Sequence, residues 1–336
     1  MYDVITFGEP MSRYEPTNQF ARLERTDCLK MTLGGAEINV TAALANVGNF
    51  KTGIITKLPK NPLGSWIQHY LDSYKVGTEF VVYGGNRVGS YYSEQGSRPR
   101  TASVVYDRKY SSFAESTISD YPINYAETHA KLFYTTGITL ALSETTRQAA
   151  FEMIKSFKET ETLVAFDVNY RAKLWSEEEA RAAIEEILPY VDILFISEET
   201  CRRMFQRTGT IEHILKEFAE DYDIRIVAST QRKVITQSHH QFTSIIFEGH
   251  TGAIHKTVTP YDIEVVDRVG SGDAYIAGVL YGLLSNHFNC EIAQEYGDAF
   301  SAFNCTIPGD ILISNADEIN SIIKKHKAGV NEDINR

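Results

Sequence analysis

The sequence predicts an α/β fold in which helices cover both faces of a mostly parallel central sheet. From Lys131 onward, short apolar segments alternate regularly with amphipathic segments of helical period. The apolar segments are continuous, as is typical of strands buried on both faces. Two turn-rich polar stretches, 12–32 and 86–108, interrupt this alternation and indicate a small second β-sheet outside the main one.

Hydrophobic periodicity, together with the residues that start and stop each segment, gives the order of the helices and strands. Serines start two of the helices, and the Ser176-Glu-Glu-Glu start matches a capping box. Residues 233–258 are expected to form two or three antiparallel strands at the sheet edge. The other expected strands are 2–8, 53–57, 132–135, 163–166, 193–196 and 224–228. The expected helices are 36–47, 63–74, 143–158, 176–188, 198–207, 211–221, 276–284, 291–305 and 315–326.

These elements divide the chain into three parts. The main α/β domain is expected to comprise 1–11, 33–85 and 109–327, the inserted β-sheet 12–32 and 86–108, and a loose tail 328–336. The insertion interrupts the main domain because the α/β alternation resumes after it.

Composition excludes several classes of protein. The net charge of −11 over 336 residues argues against nucleic acid as a general partner. The four cysteines are far apart, which favours reduced thiols in a cytoplasmic protein over a disulfide framework or a zinc site. The N-terminus has no basic leader, and no stretch approaches 18 apolar residues, so neither a signal peptide nor a membrane span is expected.

The Gly270-Ser271-Gly272-Asp273 segment is the strongest candidate for a site. Glycine-rich turns that open a helix bring backbone N–H groups and the positive helix end onto an anion, most often a phosphate. A carboxylate at such a site suits a hydroxyl that attacks phosphorus, so phosphoryl transfer to an alcohol is the working hypothesis. A tight turn with Asp273 as a cap explains the pattern equally well on its own.

Polar residues follow the ends of four predicted strands, where open α/β sheets bind their ligands. Each group alone fits a helix cap or a solvated loop, but four groups at one edge favour a cleft. The chain lacks the P-loop pattern, and its glycine spacing does not match a dinucleotide fold. The residues are Asp167, Asn169 and Arg171; Ser197, Glu198 and Glu199; Ser229, Thr230 and Arg232; and Asp267 and Arg268.

Two motifs resemble the signatures of the ribokinase-like (PfkB) sugar kinases. The 267–274 segment, Asp-Arg-Val-Gly-Ser-Gly-Asp-Ala, resembles the C-terminal signature, and Gly34-Gly35-Ala36-x-x-Asn39 resembles the N-terminal one. Their order and spacing extend the resemblance over nearly the whole chain. Within the family, the chain is most similar to the 2-keto-3-deoxygluconate kinases at Tyr91, Tyr106-Asp107-Arg108, 167–171, Leu174-Trp175 and 267–269.

The resemblance implies a three-layer α/β/α sandwich with a β-sheet lid over the sugar. It also implies ATP as donor, Mg²⁺ with the nucleotide, and transfer to the 6-hydroxyl of 2-keto-3-deoxy-D-gluconate to give the 6-phosphate. A homodimer through the lid is expected. The alternatives are a fructose- or ribose-type kinase of a neutral sugar, an inactive sugar-binding regulator on the same fold, and a dinucleotide oxidoreductase.

The resemblance also implies roles for individual residues. Asp273 would be the catalytic base, its pKa depressed by the helix N-terminus, and the amides of Gly270, Ser271 and Gly272 would hold the γ-phosphoryl group. The substrate would contact Gly34, Gly35, Asn39, Tyr91, Tyr106, Arg108, Arg171, Asp273 and Asp310. The nucleotide would contact Asn169, Arg171, Ser197, Thr230, Arg232, Gly270, Gly272 and Asn304, with Phe300 and Asn304 beside the adenine.

Three segments depart from the family pattern. Ser197-Glu198-Glu199-Thr200 replaces the usual Asn-x-x-Glu near magnesium, which leaves Glu198 or Glu199 as the carboxylate that acts through water. The nucleotide loop expected at 229–233 has no glycine. Arg268 replaces a frequent threonine and adds a positive charge beside the anion site.

Overall fold

The computed structural model describes residues 1–124 and 127–329, so most of the expected tail, 330–336, lies outside the described residues. Ten strands form one sheet in the order β13-β12-β11-β10-β9-β8-β1-β4-β5, with β14 paired to β12. The strands are β1 (Tyr2–Phe7), β2 (Met11–Pro16), β3 (Leu29–Gly34), β4 (Thr52–Leu58), β5 (Val81–Tyr83), β6 (Ser90–Glu94), β7 (Ser103–Asp107), β8 (Ala130–Thr136), β9 (Leu163–Asp167), β10 (Ile193–Phe195), β11 (Ile226–Val234), β12 (His239–Glu248), β13 (Ile254–Lys256) and β14 (Tyr261–Glu264).

Helices cover both faces of the sheet, which confirms the three-layer α/β/α prediction. One apolar core packs α4, α5 and α7 on the first face, and the other packs α1, α8 and α9 on the second. The helices are α1 (Ala36–Gly48), α2 (Pro62–Ser73), α3 (Gly137–Leu142), α4 (Glu144–Glu159), α5 (Glu177–Ile187), α6 (Glu198–Arg203), α7 (Ile211–Tyr222), α8 (Ser271–Ser285), α9 (Cys290–Asn304) and α10 (Ala316–Ala328). Short 3₁₀ turns lie at Leu23–Arg25, Ile118–Asp120 and Leu188–Tyr190.

The central part of the sheet is parallel, from β11 through β10, β9, β8, β1 and β4 to β5. The carboxyl ends of these strands therefore meet at one edge, where ligands of open α/β sheets bind. The capping box that starts α5 forms as expected: the Ser176 hydroxyl accepts from the Glu179 amide, and the Glu179 carboxylate accepts from the Ser176 amide.

A separate four-stranded sheet, in the order β3-β2-β6-β7, forms the lid. It consists of the two turn-rich stretches that interrupt the alternation in the sequence. Its 95–100 turn meets the tip of the β11–β12 hairpin, because the Gln237 side chain donates to the Gly96 carbonyl and accepts from the Arg98 amide at 2.5 Å. The lid turn and the hairpin thus touch above the edge of the main sheet.

Residues 229–233 are a strand, and the expectation of a loop there is wrong. β11 continues to Val234 and pairs with β12 over nine residues, from Ile226 opposite Glu248 to Val234 opposite His240. Its outer half leaves the core and is solvent-exposed, so the apolar signal ends at Ala228 although the hydrogen-bonded ladder does not. Two short elements, β5 and α3, are also additional to those predicted.

Helices long and apolar enough to cross a bilayer are absent from the part of the chain that the structure describes.

Candidate active site

The loop before α8 has the form of an anion site. Gly270 is the N-cap with φ +79°, and a Cβ there would overlap the Asp310 carbonyl. A Cβ on Gly272 would meet nothing within 4 Å, so its backbone faces open space. The Ser271 amide reaches the Arg268 carbonyl at 3.3 Å, whereas the Gly272 and Asp273 amides lie in the first helical turn, where N–H groups have no intrahelical acceptor.

The Asp273 side chain does not cap α8, so this segment is not simply a turn capped by Asp273. Its carboxylate instead accepts a hydrogen bond from the Asn39 side chain at 2.6 Å. The Oδ1 atom of Asn39 is buried and has no protein partner among the described residues. An unsatisfied buried acceptor beside a carboxylate suits a hydroxyl that donates to either oxygen.

The pKa of Asp273 is raised, and the expectation of a depressed value is wrong. Burial within the cleft is the main cause, and the nearby Asp167 and Asp310 carboxylates add to it, so the pKa reaches about 8. The hydrogen bond from Asn39 and the charge of Arg171 oppose this shift without cancelling it. Desolvation and neighbouring negative charge therefore outweigh the helix N-terminus.

Asp167, the last residue of β9, is a second carboxylate at the same edge. Burial raises its pKa to about 7, although Arg171 and the Asn169 amide favour the charged form. That amide donates to Asp167 Oδ1 at 3.1 Å, and Asn169 itself has φ +36°. The turn after β9 thus aims one carboxylate at the groove, beside Asp273.

Two cavities meet at these carboxylates and form one groove. The strand-end cavity, of about 420 Å³, includes Ser197, Glu199, Ser229 and Thr230. The loop cavity, of about 630 Å³, contains Gly270–Asp273, Arg232 and Arg268, and extends to lid residues 93–97. Both are lined by Asp167, Asn169, Arg171 and Gly272.

Arg232 and Arg268 bring positive charge to the groove. Both line the loop cavity, and burial together with the charge of Arg268 lowers the pKa of Arg232. Two adjacent cations in a chain of net charge −11 make the loop cavity locally attractive to an anion.

Gly34, Tyr91 and Asp310 form the end of the site beneath the lid. The Tyr91 hydroxyl donates to the Asp310 carboxylate, and a Cβ on Gly34 would overlap both groups. Gly35 has φ +129°, and a Cβ there would overlap the Glu9 carbonyl. The two glycines therefore allow the start of α1 to lie directly against the lid and the end of β1.

Arg13 of β2 ties this region to the loop before α8. Its buried guanidinium pairs with Asp310, with Asp267 at 2.7 Å and with Glu15 at 2.8 Å. Asp267 in turn accepts from the Val269 amide at 3.1 Å. One lid residue thus fixes the positions of both acidic residues that flank the glycine loop.

The two arginines expected to bind the substrate have different surroundings. Arg108 is buried and pairs with Glu9 through Nε at 2.8 Å and Nη2 at 2.5 Å. Arg171 is exposed and donates to the Tyr170 carbonyl at 3.3 Å. Both line a lid cavity of about 250 Å³, which also contains Tyr106.

Asn304 lies away from the groove. Its side chain is fully buried and donates to the Val269 carbonyl at 3.1 Å, so it supports the loop before α8. Phe300 is likewise fully buried. Of the two candidate metal carboxylates, Glu198 accepts from Arg202 and Gln231, whereas Glu199 lines the strand-end cavity and pairs with Arg203 at 2.9 Å.

A family model described as pfkB family carbohydrate kinase matches residues 1–317. The chain belongs to the PfkB family of carbohydrate kinases. This PfkB kinase is therefore a phosphotransferase that uses ATP and has an alcohol group as acceptor.

The PfkB kinase has relatives of nearly equal length. A 2-dehydro-3-deoxygalactonokinase of Haloferax volcanii is 32% identical, with 98% of each chain covered. A crystal structure of a 2-dehydro-3-deoxygluconokinase from Thermotoga maritima has a TM-score of 0.90 at 33% identity, covering 96% of this chain and 98% of that one. A putative ribokinase II from E. coli in complex with ATP and Mg²⁺ shares the fold, with a TM-score of 0.82 at 19% identity, covering 97% of this chain and 100% of that one.

Three charged residues of the PfkB kinase belong to the site although the sequence assigned them no role. Glu37, on the first turn of α1, is buried and accepts from Thr136 at 2.8 Å and Thr139 at 2.7 Å, and burial raises its pKa. Glu9 lies two residues after the parallel strand β1, and that position is the signal that could have identified it. Arg13 carries no such signal, because its partners Asp267 and Asp310 are more than 250 positions away.

Proposed function

We propose that this kinase phosphorylates a six-carbon 2-keto-3-deoxy sugar acid, with 2-keto-3-deoxy-D-gluconate as the leading candidate and its 6-hydroxyl as the acceptor. The observation that carries the chemistry is Asp273, hydrogen-bonded to Asn39 and placed one residue after the open backbone of Gly272. The acid specificity rests on Arg171, an exposed cation that lines all three cavities. Two of the similar proteins above 30% identity are named for 2-dehydro-3-deoxy sugar acids.

In this proposal the sugar lies between Gly34, Asn39 and the lid, and its terminal hydroxyl meets Asp273. The carboxylate orients the hydroxyl and accepts its proton during transfer. Amides at the start of α8 hold the phosphoryl oxygens as charge shifts onto them, an interaction worth about 3–4 kcal/mol per donor in comparable sites. In a loose transition state, orientation of the acceptor matters more than its early deprotonation.

Asp167 and Glu199 are two carboxylates of the groove that suit Mg²⁺. Carboxylate oxygens are the ligands this ion prefers, and it usually binds through one or two carboxylates together with nucleotide phosphates. Asp167 accepts one backbone hydrogen bond at Oδ1 and lines both parts of the groove. Magnesium bound with ATP would supply charge neutralisation for the phosphates at this point.

The nucleobase has room in a fourth cavity, of about 600 Å³, beside α9. It is lined by Thr257, Tyr261, Gln294 and Asp298, which combine an aromatic ring with polar side chains. Ser244, which donates to Asp298, lies directly opposite Thr230 of the strand-end cavity. We place the base here and the phosphates over Gly272, which replaces the expected position beside Phe300 and Asn304.

The proposal includes a cytoplasmic homodimer. The four cysteines are unpaired, which suits a reducing compartment. On the outer lid strand β7, Val105 is 53% accessible and lies on the face opposite to Tyr91 and Tyr106, so it gives that face apolar surface for a second lid.

Initial rates of ATP consumption with keto-deoxy sugar acids and with neutral ketoses test the substrate class directly. We expect turnover with 2-keto-3-deoxy-D-gluconate or a stereoisomer and little with fructose or ribose. Preference for a neutral sugar would replace the acid assignment, and absence of turnover with every sugar would favour a binding protein.

Arg171→Met should raise KM for the keto acid by at least about 10-fold, because a charged hydrogen bond contributes about 1.5–3 kcal/mol. The residual rate with a neutral ketose should change little. Arg25→Met, an exposed arginine of the lid segment, is the control. Arg108→Ala is a poorer test than the sequence suggests, because it leaves the buried Glu9 carboxylate without its cation. Equal losses for acid and neutral substrates in Arg171→Met would mean a structural role.

On the acid side of its pH profile, kcat/KM should fall as the pH decreases, and this fall should begin near neutrality. Asp273 acts in its charged form and burial raises its pKa to about 8, so activity should rise with pH up to that region. Asp167→Asn removes a carboxylate that raises this pKa and should move the fall to lower pH. The measurement is made with both substrates below saturation. A kcat/KM that does not change from mildly acidic to mildly alkaline pH would contradict the assignment of Asp273 as the base.

A further inference from the structure

Three potential metal ligands meet at the far edge of the main sheet. Glu248 ends β12, His255 lies on β13, and Cys290 is the first residue of α9. One ligand atom from each, a carboxylate oxygen, an imidazole nitrogen and the thiol sulfur, lies within 4.8 Å of the other two. Glu248 Oε2 and His255 Nε2 are 3.6 Å apart.

The convergence follows from strand pairing. His255 lies opposite Ile246, and Glu248 is two residues further along β12, so both side chains leave the sheet on the same face. Ile246 and Cys290 belong to one apolar core, which places that face against α9. Glu248 and His255 are seven positions apart, and His255 and Cys290 are 35 positions apart. Spacing patterns of cysteine and histidine in the sequence therefore do not identify this cluster.

The ligand atoms are not used elsewhere in the fold. His255 Nε2 is buried without a hydrogen-bond partner in the described part of the chain, although buried polar atoms are normally paired. The Cys290 thiol has a weak contact, 3.9 Å to the Phe288 carbonyl. His255 also lines the 600 Å³ cavity, which gives an ion a path from solvent.

We propose that Glu248, His255 and Cys290 form a site for a zinc-class divalent cation. Zn²⁺ binds sulfur, imidazole nitrogen and carboxylate oxygen at about 2.0–2.3 Å in tetrahedral geometry. Such bonds require ligand atoms about 3.5 Å apart, so small side-chain rotations bring the three into range. A water completes the fourth position, and the thiolate and carboxylate charges balance the ion. The sequence-based expectation of no zinc site is thereby revised.

Binding must displace the thiol proton. Burial, with a smaller contribution from the Glu248 charge, raises the pKa of Cys290 to about 12, and the charge of Arg225 opposes the rise. On binding, the S–H bond breaks, the proton goes to buffer, and a metal–sulfur bond forms. Proton release on titration is therefore part of the prediction, and affinity should increase with pH.

Cobalt(II) is the probe for this site, because a Co²⁺–thiolate bond has a charge-transfer absorption. Titration of the whole protein, without sugar or nucleotide, should give this band at one equivalent, and Zn²⁺ should remove it. Cys290→Ser should abolish the band, and His255→Gln and Glu248→Gln should weaken binding by about 10-fold or more. Circular dichroism establishes that each variant is folded.

Two exposed residues outside the cluster provide matched controls. Cys28→Ser removes an exposed thiol, and His250→Gln removes an exposed imidazole from the β12–β13 turn. Both variants should bind Co²⁺ as the parent protein does. A band that persists in Cys290→Ser, disappears in Cys28→Ser, or is absent from the parent protein overturns the proposal.

Discussion

Replacement of Asp273 by asparagine is expected to lower kcat by at least about 10²-fold, the lower end of the range for loss of a general base. Asparagine keeps the size of the side chain but cannot accept the proton of the sugar hydroxyl. The burial of Asp273 makes the effect larger than for an exposed carboxylate, because water reaches the position less readily. Sugar and ATP should still bind, since the glycine loop and Asn39 are unchanged.

Kinetics and binding must be measured together for this variant. Steady-state rates give kcat, and calorimetry gives the affinity for each substrate. Asn39→Asp is a useful companion, because it places a second carboxylate within 2.6 Å of the first and should raise the pKa of the pair further. Turnover of Asp273→Asn near the parent rate would exclude Asp273 as the base.

Arg13→Met should destabilise the fold by about 3–5 kcal/mol, the cost of leaving buried charges without their partner. Burial alone would lower the pKa of Arg13, but Asp310 and Asp267 outweigh it and keep the guanidinium charged. Without that cation, the two carboxylates face each other inside the protein. The loss should shrink as pH falls, because protonation removes the uncompensated charges.

Urea unfolding of Arg13→Met at several pH values tests this prediction. Arg22→Met is the control: its side chain is 51% exposed and pairs with Glu24 on the surface, so its effect should stay within about 0.5 kcal/mol. A parent-like free energy of unfolding for Arg13→Met at neutral pH would show that the cluster contributes specificity instead of stability.

The sequence was sufficient for the fold and for the position of the cleft. Both depend on local periodicity and on which residues directly follow a strand, and these signals are carried by a few neighbouring positions. Asp273 and Asp167 are found in this way. The outer half of β11 could not be predicted in this way, because an exposed two-stranded ribbon has no periodic pattern of apolar residues.

The electrostatics of the site depend on distant contacts and could not be predicted. The pKa of Asp273 is set by burial and by carboxylates from β9 and the segment before α10, so the helix N-terminus alone gave the wrong direction. Arg108 looked like a free cation until the structure placed Glu9, 99 positions earlier, against it. Asn304 looked like a ligand because its position in the sequence does not reveal which way its side chain points.

The contact between Gln237 and the lid turn affects the competition between water and the sugar for the phosphoryl group. Gln237 joins the β11–β12 hairpin to residues 96 and 98, on the two sides of the loop cavity. With this bridge formed, bulk solvent has less access to the phosphoryl group, and water competes poorly with the sugar as acceptor. We therefore expect this bridge to limit hydrolysis of ATP by water and to open when product leaves.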